Sequence, residues 1–509
     1  MDIKYVKIKN FRGYSNETLI EFDKLTAFVG KNDIGKSSVM EALDIFFNDG
    51  SGIIKLDKDD VNVEGKAQQD TDIYITICFT NLPDKIIIDA TNETSLINEH
   101  LLNENGDLEI IKKYPNGGKA KVFIRAYHPN NPECSDLLSK KDSELRKIIE
   151  TNKISCDDKT RNATMRSAIW SFYGTDLQLG MTDIDVTKGD TKSIWEMLEK
   201  YLPMYSLFQS DRKNSDGDSE VQDPLKEAVK EILRDDSLQV TLNSIAETVE
   251  TKLKEVSART LEKLREMSPD IANTLNPIIP SANSLKWADV FKNVSITSDE
   301  NIPINKRGSG SKRLILLNFF RAEVERRKSE TKATSVIYAI EEPETSQHSE
   351  NQKKLIKALK ELSEAANTQV IITTHSATIV KELNFNNIRI IQDDGTTKTI
   401  ENTLPSQLPY PSLNEVNYVA FSELSEEYHN ELYGYIEEQG LIDSYKSGKA
   451  TIPYNRLKHG GTIQREQITQ TEYIRHQIHH PENTYNPRFT DTDLKNSIEA
   501  MRAFICSQP

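Results

Sequence analysis

Eight residues limit the folds open to this chain more than anything else in it. Gly30-Lys31-Asn32-Asp33-Ile34-Gly35-Lys36-Ser37 follows the strand-like run TAFVG and runs into KSSVMEALDIFF, whose apolar residues recur at helical spacing. A strand, a glycine-rich turn and a helix in that order make a phosphate-binding loop. Gly30 and Gly35 permit the sharp turn that aims successive backbone N–H groups at phosphate oxygens. The helix start adds its partial positive charge. Lys36 reaches the β- and γ-phosphates, the Ser37 hydroxyl serves as a Mg²⁺ ligand, and Ser38 follows it into the helix. The expected cofactors are therefore ATP and Mg²⁺.

Three later stretches belong with this loop. VIYAIEEPE is a buried strand that ends in adjacent carboxylates, Glu341 and Glu342. One such carboxylate can hold the magnesium shell while its neighbour orients or deprotonates water. VIITTHSA is a second buried strand, ending at His375. KRGSGSKR, with Ser309 and Gly310, is a small-residue turn that opens the helix LILLNFFRAEVERR. Taken singly, these are an ordinary solvated turn, a structural histidine and an unremarkable loop.

Their order resembles an ABC-type ATPase head, and IKNFRGY, VGKNDIGKSS and EEPE resemble the RecF and overcoming-lysogenisation-defect (OLD) branch, of the AAA15/AAA21 type. The resemblance covers about residues 1–95 and 290–395. It implies an α/β P-loop head in which Lys36 and Ser37 hold phosphate and metal, Glu341 supports the metal and Glu342 is the catalytic carboxylate. By the same resemblance His375 is the switch histidine that senses the γ-phosphate, and Arg12 lies near the nucleotide. Ser309 and Gly310 resemble the signature turn that contacts ATP held by another subunit, which implies a head-to-head homodimer and leaves higher oligomers open. Glu341 departs from the Asp general in ABC proteins, although OLD-like members often carry Glu.

The expected organisation is a head in two halves, 1–95 and 286–405. They are separated by a mostly helical insertion at 96–285 that serves as an arm or dimerisation lobe. A C-terminal all-α domain spans 406–509, beyond a loop with Pro405, Pro409 and Pro411. An OLD-like TOPRIM nuclease is not expected there, because Asp491-Thr492-Asp493 opens a helix and suits capping.

Five of the nine histidines lie between His429 and His480. RHQIHH fits the R-[NHD]-x-x-x-H pattern and resembles HEPN nucleases, helical bundles that cut RNA without metal. Arg475 would stabilise phosphorane charge and His480 would move a proton. Pro481 biases His480 out of the helical region, so its imidazole can turn toward Arg475. Two alternatives stay open: a metal face of Glu472, His476 and His480 at four-residue spacing, and a polar helix that docks a partner.

These features lead to an ATP-driven switch of a bacterial antiviral defence system that controls a toxic nuclease. The nuclease is either the chain's own tail or a separate partner protein docked on it, as in Septu-type or retron-associated systems. The net charge of −15 disfavours a general nucleic-acid coat and, with it, a RecF-like repair ATPase, although RNA as substrate or DNA as trigger remains open. No run of 18 or more apolar residues occurs, and the four cysteines lack disulfide or zinc spacing, so the expected compartment is cytoplasmic, with no membrane partner.

Overall fold

Runs of consecutive apolar residues become parallel strands buried on both faces, and alternating runs become an antiparallel sheet with one face turned out. The computed structural model describes residues 1–31, 34–49, 52–89, 92–187, 191–209, 232–267, 335–345, 348–393, 398–403, 412–458 and 461–508. Within them the strands are β1 (Asp2–Lys9), β2 (Thr18–Glu21), β3 (Leu25–Val29), β4 (Asp72–Thr80), β5 (Ile86–Asp89), β6 (Asn92–Thr94), β7 (Leu108–Pro115) and β8 (Lys121–Pro129). After these come β9 (Leu179–Asp185), β10 (Met204–Phe208), β11 (Val336–Glu341), β12 (Thr368–Thr374), β13 (Ile388–Asp393), β14 (Lys398–Asn402), β15 (Thr451–Leu457) and β16 (Ile463–Thr469).

The helices are α1 (Lys36–Asn48), α2 (Val63–Ala67), α3 (Asp142–Thr151), α4 (Asn162–Tyr173), α5 (Thr191–Leu198), α6 (Asp236–Met267) and α7 (Ser349–Ser363). The chain ends with α8 (Ala377–Glu382), α9 (Leu413–Phe421), α10 (Glu426–Glu438), α11 (Ile442–Lys446), α12 (Gln470–His479) and α13 (Asp491–Cys506).

One six-stranded sheet has the order β10-β11-β12-β3-β13-β14, with every neighbouring pair parallel except β13 and β14. The runs MYSLF, LTAFV, VIYAIE and TQVIITT are buried along their whole length. The other sheet is antiparallel, in the order β2-β1-β4-β7-β8-β9. The larger apolar core fills the space between this sheet, α1 and one face of the parallel sheet. A second core lies on the opposite face, under α7 and α9. Gln369 of β12 ties the two sheets together: Ile3 N donates to its Oε1 at 2.9 Å, and its Nε2 donates to Ile3 O and Asp23 O.

The expectation of a mostly helical 96–285 needs correction. Residues 108–115, 121–129 and 179–185 form β7, β8 and β9, which continue the sheet begun by β1 and β4. Val122, Ile124, Ala126 and His128 alternate inward along β8, a two-residue period. The helical part includes α6, a single element of 32 residues, about 48 Å long.

The C-terminal region is helical, with its own core of Tyr428, Leu432, Ile436, Tyr445, Ile474, Leu494, Ile498 and Met501. It is not purely so, because β15 and β16 form a hairpin where helix was expected. At α13 the N-cap is Thr490, whose hydroxyl accepts from Asp493 N in a capping box, so the Asp491–Asp493 stretch caps a helix as its spacing implied.

Candidate nucleotide site and the C-terminal histidine face

Strand register brings the site together. Val29 pairs with Thr374, Thr373 with Glu341 and Ile340 with Phe208, so β3, β12, β11 and β10 end side by side at one sheet edge. Ligands of open parallel sheets bind beyond these carboxyl ends. From β3 the chain turns through Gly30 and Gly35 into α1.

Gly35 has φ +105, and a Cβ there would stand 3.0 Å from Lys398 Cδ and 3.4 Å from the Tyr14 hydroxyl. Only glycine meets both demands. The 13-residue α1 starts with no side-chain cap and no acidic residue in its first turn, so its N-terminal amides face outward for an anion. The buried Lys36 lies in the curve of the loop, donating to Gly30 O at 2.6 Å and Lys31 O at 2.7 Å. Ser37 is exposed beside it. Asn32 and Asp33, expected in the loop, and Ser309 and Gly310, expected in the signature turn, lie outside the described residues.

Across the edge, Glu341 is the buried last residue of β11, and Glu342 follows with φ +38, a left-handed backbone that non-glycine residues rarely adopt. Glu342 N donates to Thr373 O and to Thr373 Oγ1, both at 3.1 Å, which hold it in that turn. His375 Nδ1 is 3.4 Å from Glu342 Oε1. The carboxylate and histidine singled out from the sequence thus meet.

A third carboxylate joins them. Glu344, buried, accepts from Thr374 Oγ1 at 2.6 Å and His375 N at 3.0 Å, and its Oε1 is 3.6 Å from His375 Nδ1. Burial pushes its carboxyl upward. Sequence reasoning passed over Glu344, although the last glutamate of EEPE was the signal. Gln209 follows β10, next to Phe208, which pairs with Ile340 of β11. It is buried with its Oε1 unpartnered among the described residues. Lys398 of β14 was also missed: its chain lies against Gly35 and Gly13, and its Nζ is 3.7 Å from Asp393. Arg12, at φ +47, donates through Nε to Asp60 at 2.8 Å and pairs with Glu41 of α1, so it braces the phosphate helix.

The donor set fits a nucleotide with its metal. It comprises a helix N-terminus without a cap, a lysine in the loop, a serine hydroxyl, a strand-end carboxylate and an orphaned buried glutamine oxygen at one edge.

The C-terminal pair behaves differently. Arg475 faces α10: its guanidinium lies 4.0 Å over the Tyr433 ring and bonds Glu437 at 3.1 Å. His480 caps α12 with φ −128, outside the helical region as Pro481 requires, and its Nδ1 is 3.1 Å from Glu482. It turns toward His476, at a ring separation of 6.5 Å, and not toward Arg475, a correction to the expected pairing. The physical reason is helix geometry, because residues four apart share a face and residues five apart do not. The metal face is corrected too. Glu472 is taken by Thr469 and Lys446, and no cluster of three or more metal-ligating side chains occurs among the described residues.

Residues 1–380 match the family described as AAA ATPase domain (AAA_15). Endonuclease GajA of Bacillus cereus (strain HuB5-5) is 22% identical over 413 residues, 76% of this chain and 58% of its own length. Old nuclease of Escherichia phage P2 is 25% identical over 453 residues, 82% of this chain and 66% of its own length. The chain thus spans just under two thirds, or less, of these curated relatives.

Among solved structures, an Smc head bound to the C-winged helix domain of ScpA matches 79% of this chain and 97% of its own, at 13% identity and TM-score 0.37. The SMC head domain from Thermotoga maritima matches 79% and 99%, at 12% and 0.33. With the family match covering residues 1–380 of 509 and the phosphate-loop edge as described, the chain is an ATPase with an α/β P-loop head and belongs to the AAA ATPase domain (AAA_15) family.

Proposed function

We propose that this ATPase is a homodimeric switch of an antiviral defence system, in which head closure on ATP controls an RNA-cutting activity of its own C-terminal region. The meeting of Glu342, His375 and Glu344 at the end of the phosphate-loop sheet supports the switch most directly. In the proposed reaction Glu342 takes a proton from water as the water oxygen bonds the γ-phosphorus. The bond from that phosphorus to the β–γ bridging oxygen breaks, releasing ADP and phosphate, while His375 contacts the γ-phosphate. The Ser37 hydroxyl and Glu341 carboxylate would hold Mg²⁺, which supplies neutralisation of phosphate charge.

Ile245, Val249, Leu253 and Val256 stand exposed on one side of α6, an apolar row that suits association with a second copy. The relatives named as an endonuclease and a nuclease support the link to nucleic-acid cleavage. A second reading has the C-terminal helices dock a separate nuclease, and the engagement of Arg475 with Tyr433 and Glu437 favours it.

The deciding experiment incubates the protein with mixed cellular RNA, with and without ATP and Mg²⁺, beside His480→Ala. Cleavage that disappears in the variant is expected. Intact RNA under every condition refutes the RNase reading, and a partner captured by the intact chain but not by one lacking 412–509 would then establish docking.

A further inference from the structure

The hairpin β15–β16 packs on the face of α12 opposite to the one that carries Arg475, and it brings a second arginine to the histidines. Arg456 Nη2 donates to His476 Nε2 at 3.0 Å, and Arg456 Nε is held by Glu466 across the hairpin. The His476 ring stacks on Tyr454, with centroids 5.3 Å apart and planes 26° apart. An arginine has no acceptor to offer, so His476 Nε2 is the acceptor and its ring is neutral. One helical turn on, the exposed His480 lies beside that ring, its Nδ1 3.1 Å from Glu482. That carboxylate fixes the tautomer and leaves Nε2 as a base open to solvent.

The loop after His480 is built rather than left loose. Asn483 Nδ2 donates to the Tyr454 hydroxyl at 3.0 Å and to Asn455 O at 2.9 Å, and Asn486 Nδ2 donates to Asn455 O at 2.9 Å. Asn455 returns the contact to Asn486 Oδ1 and Tyr485 O. Asn483 and Asn486 are buried, while Tyr485 between them is 53% exposed. Two buried asparagines thus hold an exposed histidine and an exposed aromatic ring at fixed positions beside an arginine.

We infer that Arg456, His480 and Tyr485, with Glu482 positioning His480, form the binding and cleavage site for single-stranded RNA, and that Arg475 is structural. This rests on the RNase reading above and replaces its arginine. Tyr485 stacks on a base, and Arg456 bonds the phosphate beside it. The ribose 2′-oxygen attacks the adjacent phosphorus and gives its proton to His480 Nε2. The bond from phosphorus to the 5′-oxygen breaks, and that oxygen takes a proton from water. The products are a 2′,3′-cyclic phosphate and a 5′-hydroxyl, and His480 returns its proton to solvent.

The test uses the full chain, with ATP and Mg²⁺, and a labelled single-stranded RNA oligonucleotide read by both cleavage and fluorescence anisotropy. Arg456→Ala is expected to slow cleavage about 100-fold and Arg456→Lys somewhat less, the range for removing a preorganised donor to transition-state charge. Tyr485→Ala should weaken binding about 10-fold. Glu482→Gln should lower kcat with KM unchanged, a split that a merely structural role would not produce. Arg475→Lys keeps a cation beside Glu437 but gives up the planar stack on Tyr433, so it should affect packing on α10 and leave cleavage within about threefold of the parent.

Loss of cleavage in Arg475→Lys with Arg456→Ala unaffected overturns the inference while leaving the RNase reading standing. If the parent cleaves no RNA, the RNase reading fails. Anisotropy then decides the site: tight binding lost in Arg456→Ala and Tyr485→Ala keeps it as a binding surface, and no binding removes it. Circular dichroism of each variant guards against loss of fold, with Glu466→Gln as the hairpin control.

Discussion

His429 gives the C-terminal bundle a specific weakness to acid. It sits fully buried on α10 with Nε2 3.0 Å from Ser497 Oγ, and Ser497 in turn donates to Thr471 at 2.8 Å. Burial first, then the charges of Arg475 and His479, push it down to about 4 from the usual 6.5. Because the folded state holds this imidazole neutral, the unfolded chain binds the extra proton between those values. Stability is therefore full above about pH 6.5 and is lost as pH falls toward 4. The loss amounts to about 2 kcal/mol between about pH 7.5 and about pH 5, and to about 3 kcal/mol when complete.

Hydrogen exchange of peptides spanning α10, α12 and α13, corrected for intrinsic rates, reads this directly, because opening of this subregion sets their protection. About 2 kcal/mol corresponds to roughly thirtyfold weaker protection at about pH 5. His429→Gln retains a side chain that can bond Ser497 and cannot titrate. It should begin somewhat less protected at neutral pH and lose little more in acid. Equal pH dependence in parent and variant, or none in the parent, would refute the assignment of the effect to His429.

The head yields three further predictions. Lys36→Ala should abolish ATP binding, measured with a fluorescent nucleotide, because it removes the ammonium held in the curve of the loop. Glu342→Gln should keep ATP binding while slowing steady-state hydrolysis by about 100-fold, the scale of removing a general base. Glu344→Ala strips the acceptor from the Thr374 hydroxyl and His375 N–H, costing about 2 kcal/mol in urea unfolding and lowering ATP turnover, whereas the isosteric Glu344→Gln should restore most of both.

The phosphate loop and the parallel strands were legible in the sequence because their causes are local. A turn that must aim amides at phosphate needs glycine at Gly35 whatever lies elsewhere. Strands covered on both faces, such as VIYAIE and TQVIITT, must be apolar throughout. The capping box at Thr490 is local too.

Strand β7 was hidden because Lys112 and Lys113 sit side by side in it, yet Lys112 is buried. It donates to Phe46 O at 2.8 Å, at the end of α1, and lies over the Phe46 and Trp195 rings. Its acceptor is 66 residues away in sequence, beyond any pattern that a window can show. Strand β16, IQREQIT, is mostly solvent-exposed and carries little apolar period, so only its register with β15 made it a strand.

The histidine cluster divides in the same way. The sequence alone determined that histidines concentrate on α12 and that Pro481 turns His480 out of the helix. Which arginine each histidine meets was decided by tertiary structure, since Arg475 packs against α10 while the hairpin delivers Arg456 from 20 residues upstream of His476. Spacing along a chain fixes which side chains share a helix face, but only the packing of other elements decides what that face meets.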